Sequence, residues 1–349
     1  MLNNSYYSET AYRGHRIPRQ RPYSKKNGIL YKMQDMHTKM ALRLPWGNYA
    51  NINSTQIIDI GFDIAQDSRR KKPENFAEKV YWNHECLKLD NGHWLLEALT
   101  FFTALFGSRF IITAVIACCI ISYLTLWITK GKSDPSFFGY FICVLIFLHI
   151  LFYYLAPTLL NKLQDKLVVD RGCGFFRKTG MVRKHITGKE YFEAPFTEFD
   201  ATLINMPDIN GLPRYQLTLV HRYQPISFNV PIGLEGVLDG RFRLADWDTL
   251  QRFMDISQPL PDIPQLEPFR ALDPVTAEYD KAGKRGRPDD YWANLSHDDW
   301  FKNHEPELRK AITSFHWQGL KDYMAGKVPG REEEDQIARR RWCSMKWKG

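Results

Sequence analysis

A chain of 349 residues with a formal net charge of +8 has room for about two domains. Its mean hydropathy of −0.39 is that of a soluble protein, yet the apolar residues are strongly segregated. Six cysteines without disulfide or metal-ligand spacing exclude a disulfide scaffold and point to a reducing compartment.

Residues 1–30 carry Arg13, Arg16, Arg19, Arg21, Lys25 and Lys26 against the single Glu9. With few aliphatic residues, this stretch reads as a disordered basic arm, either solvated or drawn to anionic lipid. Residues 31–93 are a cytoplasmic segment with short strands. Within it, "IIDIGFDIA" alternates apolar and polar residues as a half-buried strand does, and Asn91-Gly92 is a turn signal. Residues 94–109 place Leu95, Leu99, Phe102 and Phe106 on one helical face, as in an interfacial helix.

Residues 110–129 and 137–160 contain no Asp, Glu, Lys or Arg. As helices they measure roughly 30 and 36 Å, enough to cross a hydrocarbon core of about 30 Å. The expectation is a two-span transmembrane hairpin over 110–160, turning through the short linker that holds Lys130 and Lys132. Lys88, Arg109, Lys162, Lys166 and Arg171 lie outside the hairpin, so the positive-inside rule places both termini in the cytoplasm. His149 falls near mid-span, opposite Ala114, Cys118 and Ser122. These small residues permit close helix contact and a hydrogen-bonded neutral imidazole.

Past the hairpin the period changes to two. "KLVVDRG", "GFFRKTG", "MVRKHITG", "EYFEAPFTEFDATLI", "YQLTLVHR" and "ISFNVPIG" are β-branched or aromatic runs parted by Gly and Pro. "DWDTLQRFMDIS" follows, with Trp247, Leu250, Phe253 and Met254 on one helical face and Asp246 as N-cap. The expected fold class is a membrane α-helical hairpin plus α+β. Its small antiparallel β domain, residues 163–257, has the element order of a pleckstrin-homology-like barrel capped by a helix. Residues 258–290, rich in proline, form an extended connector. Residues 291–349 form a helical C-terminal region, with Ser296 and Asp299 as a capping box and Pro306 opening a helix.

The chain has no phosphate loop, no Gly-x-Ser-x-Gly and no His-Glu-x-x-His. His84, Glu85, Cys86, Asp90 and His93 gather in sequence, but their spacing fits no common zinc geometry. His297, Asp298 and Asp299 read as a helix start. No catalytic residue, metal or cofactor is expected, and no specific nucleic acid. Arg171, Arg177, Lys178, Arg183 and Lys184 crowd the first strands of the β domain. They either receive an anionic lipid headgroup or simply follow the positive-inside rule.

A membrane hairpin followed by a small β domain resembles the bacterial pleckstrin-homology-like membrane proteins. The runs "KLVVDRGCGFFRKTG", "APFTEFDATL", "YQLTLVHR" and "WDTLQRFMD" are similar to an uncharacterised proteobacterial family often encoded beside type VI secretion genes. The similarity covers residues 159–261 and rests on strand pattern and a Trp-initiated helix, so no catalytic residue carries over. It implies a bacterial inner membrane and an immunity or accessory role, with membrane lipids and a toxin or secretion component as partners. The functional expectation is a non-catalytic protein whose cytoplasmic domains bind a partner protein. A lipid-sensing regulator, a pore-forming effector and an enzyme are the alternatives.

Overall fold

The computed structural model describes residues 6–24, 28–59, 82–88, 119–125, 127–128, 140, 143–144, 147, 172–186, 190–207, 211–230, 239–345 and 347. The chain divides into two compact units, Met1–Leu89 with Gly172–Gly349, and Asp90–Arg171.

Among the described residues no helix is long and apolar enough to cross a membrane. This overturns the expected two-span hairpin, and with it the fold class and the inner-membrane placement. His149, Ala114 and Cys118 lie outside the described residues, as do residues 94–109; Ser122 sits half-buried in the 119–125 helix.

The first unit is built on two four-stranded antiparallel sheets rather than one bent sheet confined to residues 163–257. Helix α1 (Ile29–Met40) leads into β1 (Leu42–Arg43), and β2 (Cys86–Lys88) follows. Strands β3 (Gly174–Phe176), β4 (Met181–His185) and β5 (Tyr191–Pro195) form a meander, with β2 added on the edge of β3. Strands β6 (Phe199–Asn205), β7 (Tyr215–His221) and β8 (Ser227–Asn229) form the second sheet, with β1 added on β6. Each sheet is therefore completed by a strand from the N-terminal part of the chain.

The register of β6 on β7 decides which side chains share a face. Phe199, Ala201 and Leu203 of β6 stand opposite His221, Leu219 and Leu217 of β7, and all six are buried. The opposite face of the pair is buried too, through Asp200, Thr202, Thr218 and Val220, so a slip of one residue would exchange the apolar row with mainly polar side chains.

Helix α2 (Gly240–Met254) begins earlier than the apolar pattern suggests. Asp239 caps it by accepting the Arg241 backbone N–H at 2.9 Å, whereas Asp246 lies inside the helix and pairs with Arg243 at 2.8 Å. Trp247, Leu250, Phe253 and Met254 are buried as expected. The opposite side is buried too, because Asp248 accepts the backbone N–H groups of Ala50 and Ile52, and Gln251 accepts that of Gly47. The helix thus lies inside the unit instead of capping an open end.

Three further expectations change. Residues 55–59 are helical rather than extended, with the adjacent Ile57 and Ile58 both buried, while the rest of "IIDIGFDIA" lies outside the described residues. The proline connector folds as a 3₁₀ run, Pro264–Leu272, and helix α3 (Pro274–Lys281), each opened by a proline in the first turn, where its missing N–H costs nothing. The basic arm is packed: Tyr12 and Ile17 are buried in the core, and Arg21 pairs with Glu198 at 2.6 Å. Gly180, at φ 69°, makes room for the arm, since a Cβ there would lie 2.6 Å from the Thr10 carbonyl oxygen.

Toward the C-terminus, Ser296 caps a short helical turn by accepting the Asp299 N–H at 3.1 Å. Pro306 lies in the first turn of α4 (Glu305–Ser314), whose buried residue is Ile312. Helix α5 (Glu332–Ser344) closes the unit, anchored by Trp342.

Candidate functional site

The basic residues expected to meet lipid differ in their surroundings. Arg171 lies outside the described residues. Arg177 is wholly buried and bound to Asp273, so it belongs to the core. Lys178 stands 4.0 Å from Glu85 and over the Tyr6 ring, and Arg183 pairs with Glu193 at 3.1 Å. Lys184 donates to the Ser227 carbonyl at 2.7 Å, and burial lowers its pKa. Of the five, Arg177 is thus interior, while Lys178, Arg183 and Lys184 are half-buried with polar neighbours at hand.

The described part of the histidine-rich stretch packs against its neighbours. Cys86 is buried in β2, Glu85 faces Lys178, and His84 stacks on Phe269 at 6.1 Å between centroids. Asp90 and His93 lie outside the described residues. Among the described residues, no group of three His, Cys, Asp or Glu side chains is arranged to hold a metal ion. Burial holds the His84 imidazole below its ordinary value of 6.5. The unfolded chain therefore binds more protons just below that value, and folding stability rises as pH climbs to about 6.5. The melting temperature of the native chain is expected to increase from about pH 5 to 6.5 more steeply than that of His84→Gln. Equal slopes would remove this assignment.

Among the described residues lies a cleft of about 610 Å³, within the range of sites for small organic ligands or peptide side chains. Its walls are α1 and α5, and its floor is the β6–β7 region of the second sheet together with residues 220–223. Helix α1 is tied down by Gln34, which donates to the His221 carbonyl at 2.9 Å, and by Tyr31, which donates to Gln224. Arg341 of α5 donates to the Lys39 carbonyl, joining the two walls. Tyr23 and Ser24 of the N-terminal segment line it as well, where the Tyr23 N–H donates to the Pro329 carbonyl.

On the floor, three arginines converge on two carboxylates. Asp200, the second residue of β6, accepts from Arg222 Nη2 at 2.8 Å and from Arg331 Nη1 at 2.6 Å. Asp335 accepts from Arg43 Nη2 at 2.8 Å and Arg331 Nε at 2.9 Å. Burial pushes the Asp200 carboxyl up, but the guanidiniums of Arg222, Arg331 and Arg43 overcome it and hold the group well below the usual carboxylate range. Asp322 is a further carboxyl acting on Arg43 and Arg331, without a direct hydrogen bond to either. Two buried donors of the cluster, Arg331 Nη2 and Arg222 Nε, have no acceptor among the described residues. A buried cationic donor left unmatched is costly.

His221 borders this cluster with both ring nitrogens engaged. Nδ1 accepts the backbone N–H groups of Tyr223 and Gln224 at 3.2 and 2.9 Å, which leaves the hydrogen on Nε2, 3.1 Å from Glu198. Glu198 is pushed up by burial and held down by hydrogen bonds from His221 and Arg21. The ring is fixed in one tautomer and its edges are covered.

None of Arg43, Asp200, His221, Arg222, Arg331 and Asp335 stands out in the sequence as a site. The available local signal is an aspartate interrupting an otherwise apolar strand start at "FDATLI" and the charged end of "YQLTLVHR". Nothing local joins Asp200 to Arg331, 131 positions away. Compared with known proteins, the chain matches no family model, no curated protein and no solved structure.

Proposed function

We propose that the protein works by binding, and that the cleft between α1 and α5 seats an anionic segment of a partner protein. The observation that carries this reading is the arginine cluster on the cleft floor, Arg43, Arg222 and Arg331, with Lys32 and Arg341 exposed at the margin. Binding is favoured over catalysis by the state of the titratable groups beside it. Both Asp200 oxygens accept from arginines, and both His221 nitrogens are engaged, so neither is poised to take a proton from a substrate.

The cleft extends the same chemistry outward. Lys32 and Arg341 are exposed at its margin, where charge steers an acidic partner and sets the on-rate. Half-buried Tyr23, Tyr31 and Tyr223 add apolar contact surface with a polar tip.

Fluorescence anisotropy with a fluorescein-labelled, glutamate-rich nonapeptide tests the reading. Binding is expected to weaken steeply as salt rises, because exposed charges are screened beyond about 8–10 Å. Arg43→Gln combined with Lys32→Glu is expected to weaken it about tenfold or more. A peptide that does not bind, or binds equally to the variant, overturns the proposal.

A further inference from the structure

We infer that the N-terminal segment beside the cleft, residues 13–21, is a rigid basic strip that carries an extended acidic stretch of the partner onward from the cleft. The inference rests on the binding reading above and adds a second, separable contact to it, made by Arg16 and Arg19.

Burial in this segment repeats every three residues. Gly14, Ile17 and Gln20 are buried and Tyr23 is half-buried, while Arg16, Arg19 and Pro22 are exposed, as are His15, Pro18 and Arg21. A 3₁₀ turn over Gly14–Arg16 gives way to extended chain at Ile17, with φ −59° and ψ 118°, because a residue before proline is kept out of the helical region. The 3₁₀ and polyproline conformations both have three residues per turn, so one row of side chains enters the core and another stays outside. Arg16 and Arg19 share an outer row, about 9 Å apart at 3.1 Å per residue. The backbone is tied down along its length. The Gly14 N–H donates to Asp255 at 3.0 Å, that of Gln20 to the Lys327 carbonyl at 2.8 Å, and that of Tyr23 to the Pro329 carbonyl at 2.8 Å. A strip ordered before its partner arrives avoids much of the entropic cost of binding.

The two arginines are uncommitted. Among the described residues neither side chain has a hydrogen bond or an ion pair. Carboxylates on the neighbouring elements are engaged elsewhere. Glu198 binds Arg21 at 2.6 Å and His221 at 3.1 Å, and buried Asp255 accepts from Gly14, Tyr49 and Ser257. Asp322 accepts the N–H groups of Trp46 and Met324, and Glu332 accepts that of Gly330. Glu9 precedes the strip, on the stretch that Thr10 holds against the Thr179 carbonyl. Lys327, exposed beside Gln20, adds a flanking cation.

The strip leads into the cleft. Arg21 lies over the Tyr223 ring at 4.5 Å, and the Tyr223 hydroxyl donates to the Arg21 carbonyl at 2.7 Å. Tyr223 and Tyr23 both line the cleft. From Tyr23 back to Arg16 is at most about 22 Å at 3.1 Å per residue, which an extended peptide covers with about seven residues. Acidic side chains at every third position of such a peptide recur about every 10 Å, close to the interval between the two arginines. A peptide fits better than single-stranded nucleic acid, which stacks its bases on aromatic faces. Here Tyr12 is buried in the core and Tyr223 carries Arg21 on its ring.

Anisotropy against the full chain at physiological ionic strength tests the inference with three labelled peptides. One is the glutamate-rich nonapeptide; the second extends it at both ends by about seven residues with glutamate at every third position; the third has the same extensions with glutamine in place of glutamate. The acidic extension is expected to bind about tenfold tighter than the nonapeptide, and the neutral extension to match the nonapeptide. Arg16→Gln combined with Arg19→Gln is expected to abolish the gain and leave nonapeptide binding unchanged. Arg16→Lys with Arg19→Lys, expected to keep most of the gain, separates lost charge from any change in the fold. Equal affinity of the acidic and neutral extensions, or a gain that survives in the glutamine variant, overturns the inference and leaves the cleft reading standing. Binding of the acidic extension that Arg43→Gln with Lys32→Glu does not weaken removes the cleft reading and leaves the strip. No binding by any of the peptides removes both. A labelled oligothymidine that binds more tightly than the acidic extension, and is lost in the Arg16 and Arg19 glutamine variant, assigns the strip to nucleic acid and overturns the inference.

Discussion

Replacing Arg177 by Met is expected to lower the unfolding free energy by about 3–5 kcal/mol, the cost of leaving a buried charge without its partner. The side chain has no exposed surface. Its Nε lies 3.1 Å from Asp273 Oδ1, its Nη1 donates to the carbonyls of Phe253 and Asp255, and its Nη2 donates to that of Gln258 at 2.8 Å. One guanidinium thus ties the β3–β4 turn to the C-terminal end of α2. It also holds the carboxylate that caps α3, where Asp273 accepts the Thr276 N–H at 3.1 Å. In the Met variant Asp273 keeps only the Tyr7 and Thr276 hydrogen bonds. Lysine is expected to recover a minor part, because a single ammonium cannot reach three carbonyls and a carboxylate at once.

The effect carries a pH signature. Burial pushes the Asp273 carboxyl up, but Arg177 and hydrogen bonds hold it below its ordinary value of 3.8. A depressed carboxylate contributes stability above its unfolded pKa and loses it as pH falls toward the folded one. The gap between native and Met variant is therefore widest at neutral pH and narrows below about 3.8. Urea unfolding at two pH values measures both parts. A loss under about 1 kcal/mol at pH 7 would show that the pair is not holding these elements together.

Much of the strand and helix content is legible because burial imposes a period. The strands of residues 174–229 and the apolar face of α2 follow from alternation and from Trp247, Leu250, Phe253 and Met254. What periodicity cannot show is burial of polar residues. Asp248, Gln251 and Arg252 resemble a solvated helix face, yet Asp248 and Gln251 accept the backbone N–H groups of Gly47, Ala50 and Ile52, and Arg252 donates to the Asn53 side-chain oxygen. Arg177 likewise looks like one more surface cation. In the N-terminal arm, Tyr12 and Ile17 are too sparse to announce a core segment, but they fill space in a core made elsewhere. The cleft shares this property. Its charges come from β1, β6, the end of β7 and α5, and only the closed fold brings them together.

Trp247→Ala is the second large expected effect, about 3–5 kcal/mol from lost burial and the cavity left behind. That is a large share of a typical domain stability of about 5–15 kcal/mol. The ring is 3% exposed and stands edge-on to Trp46 at 4.8 Å between centroids, with Phe196 at 5.8 Å. It is thus packed between the N-terminal segment and the turn that links the two sheets. Its Nε1–H donates to the Pro45 carbonyl at 2.9 Å, which pins the residues leading out of β1. Trp247→Phe separates the two contributions: it keeps most of the apolar surface and strands the Pro45 carbonyl, for an expected cost of about 1–3 kcal/mol. Because β1 places Arg43 on the cleft floor, the Ala variant is also expected to weaken anionic-peptide binding under conditions where the fold persists. Chemical unfolding of the three proteins fixes the order native, Phe, Ala. An Ala variant as stable as the native chain would mean that α2 is not the element on which both sheets and the N-terminal segment close.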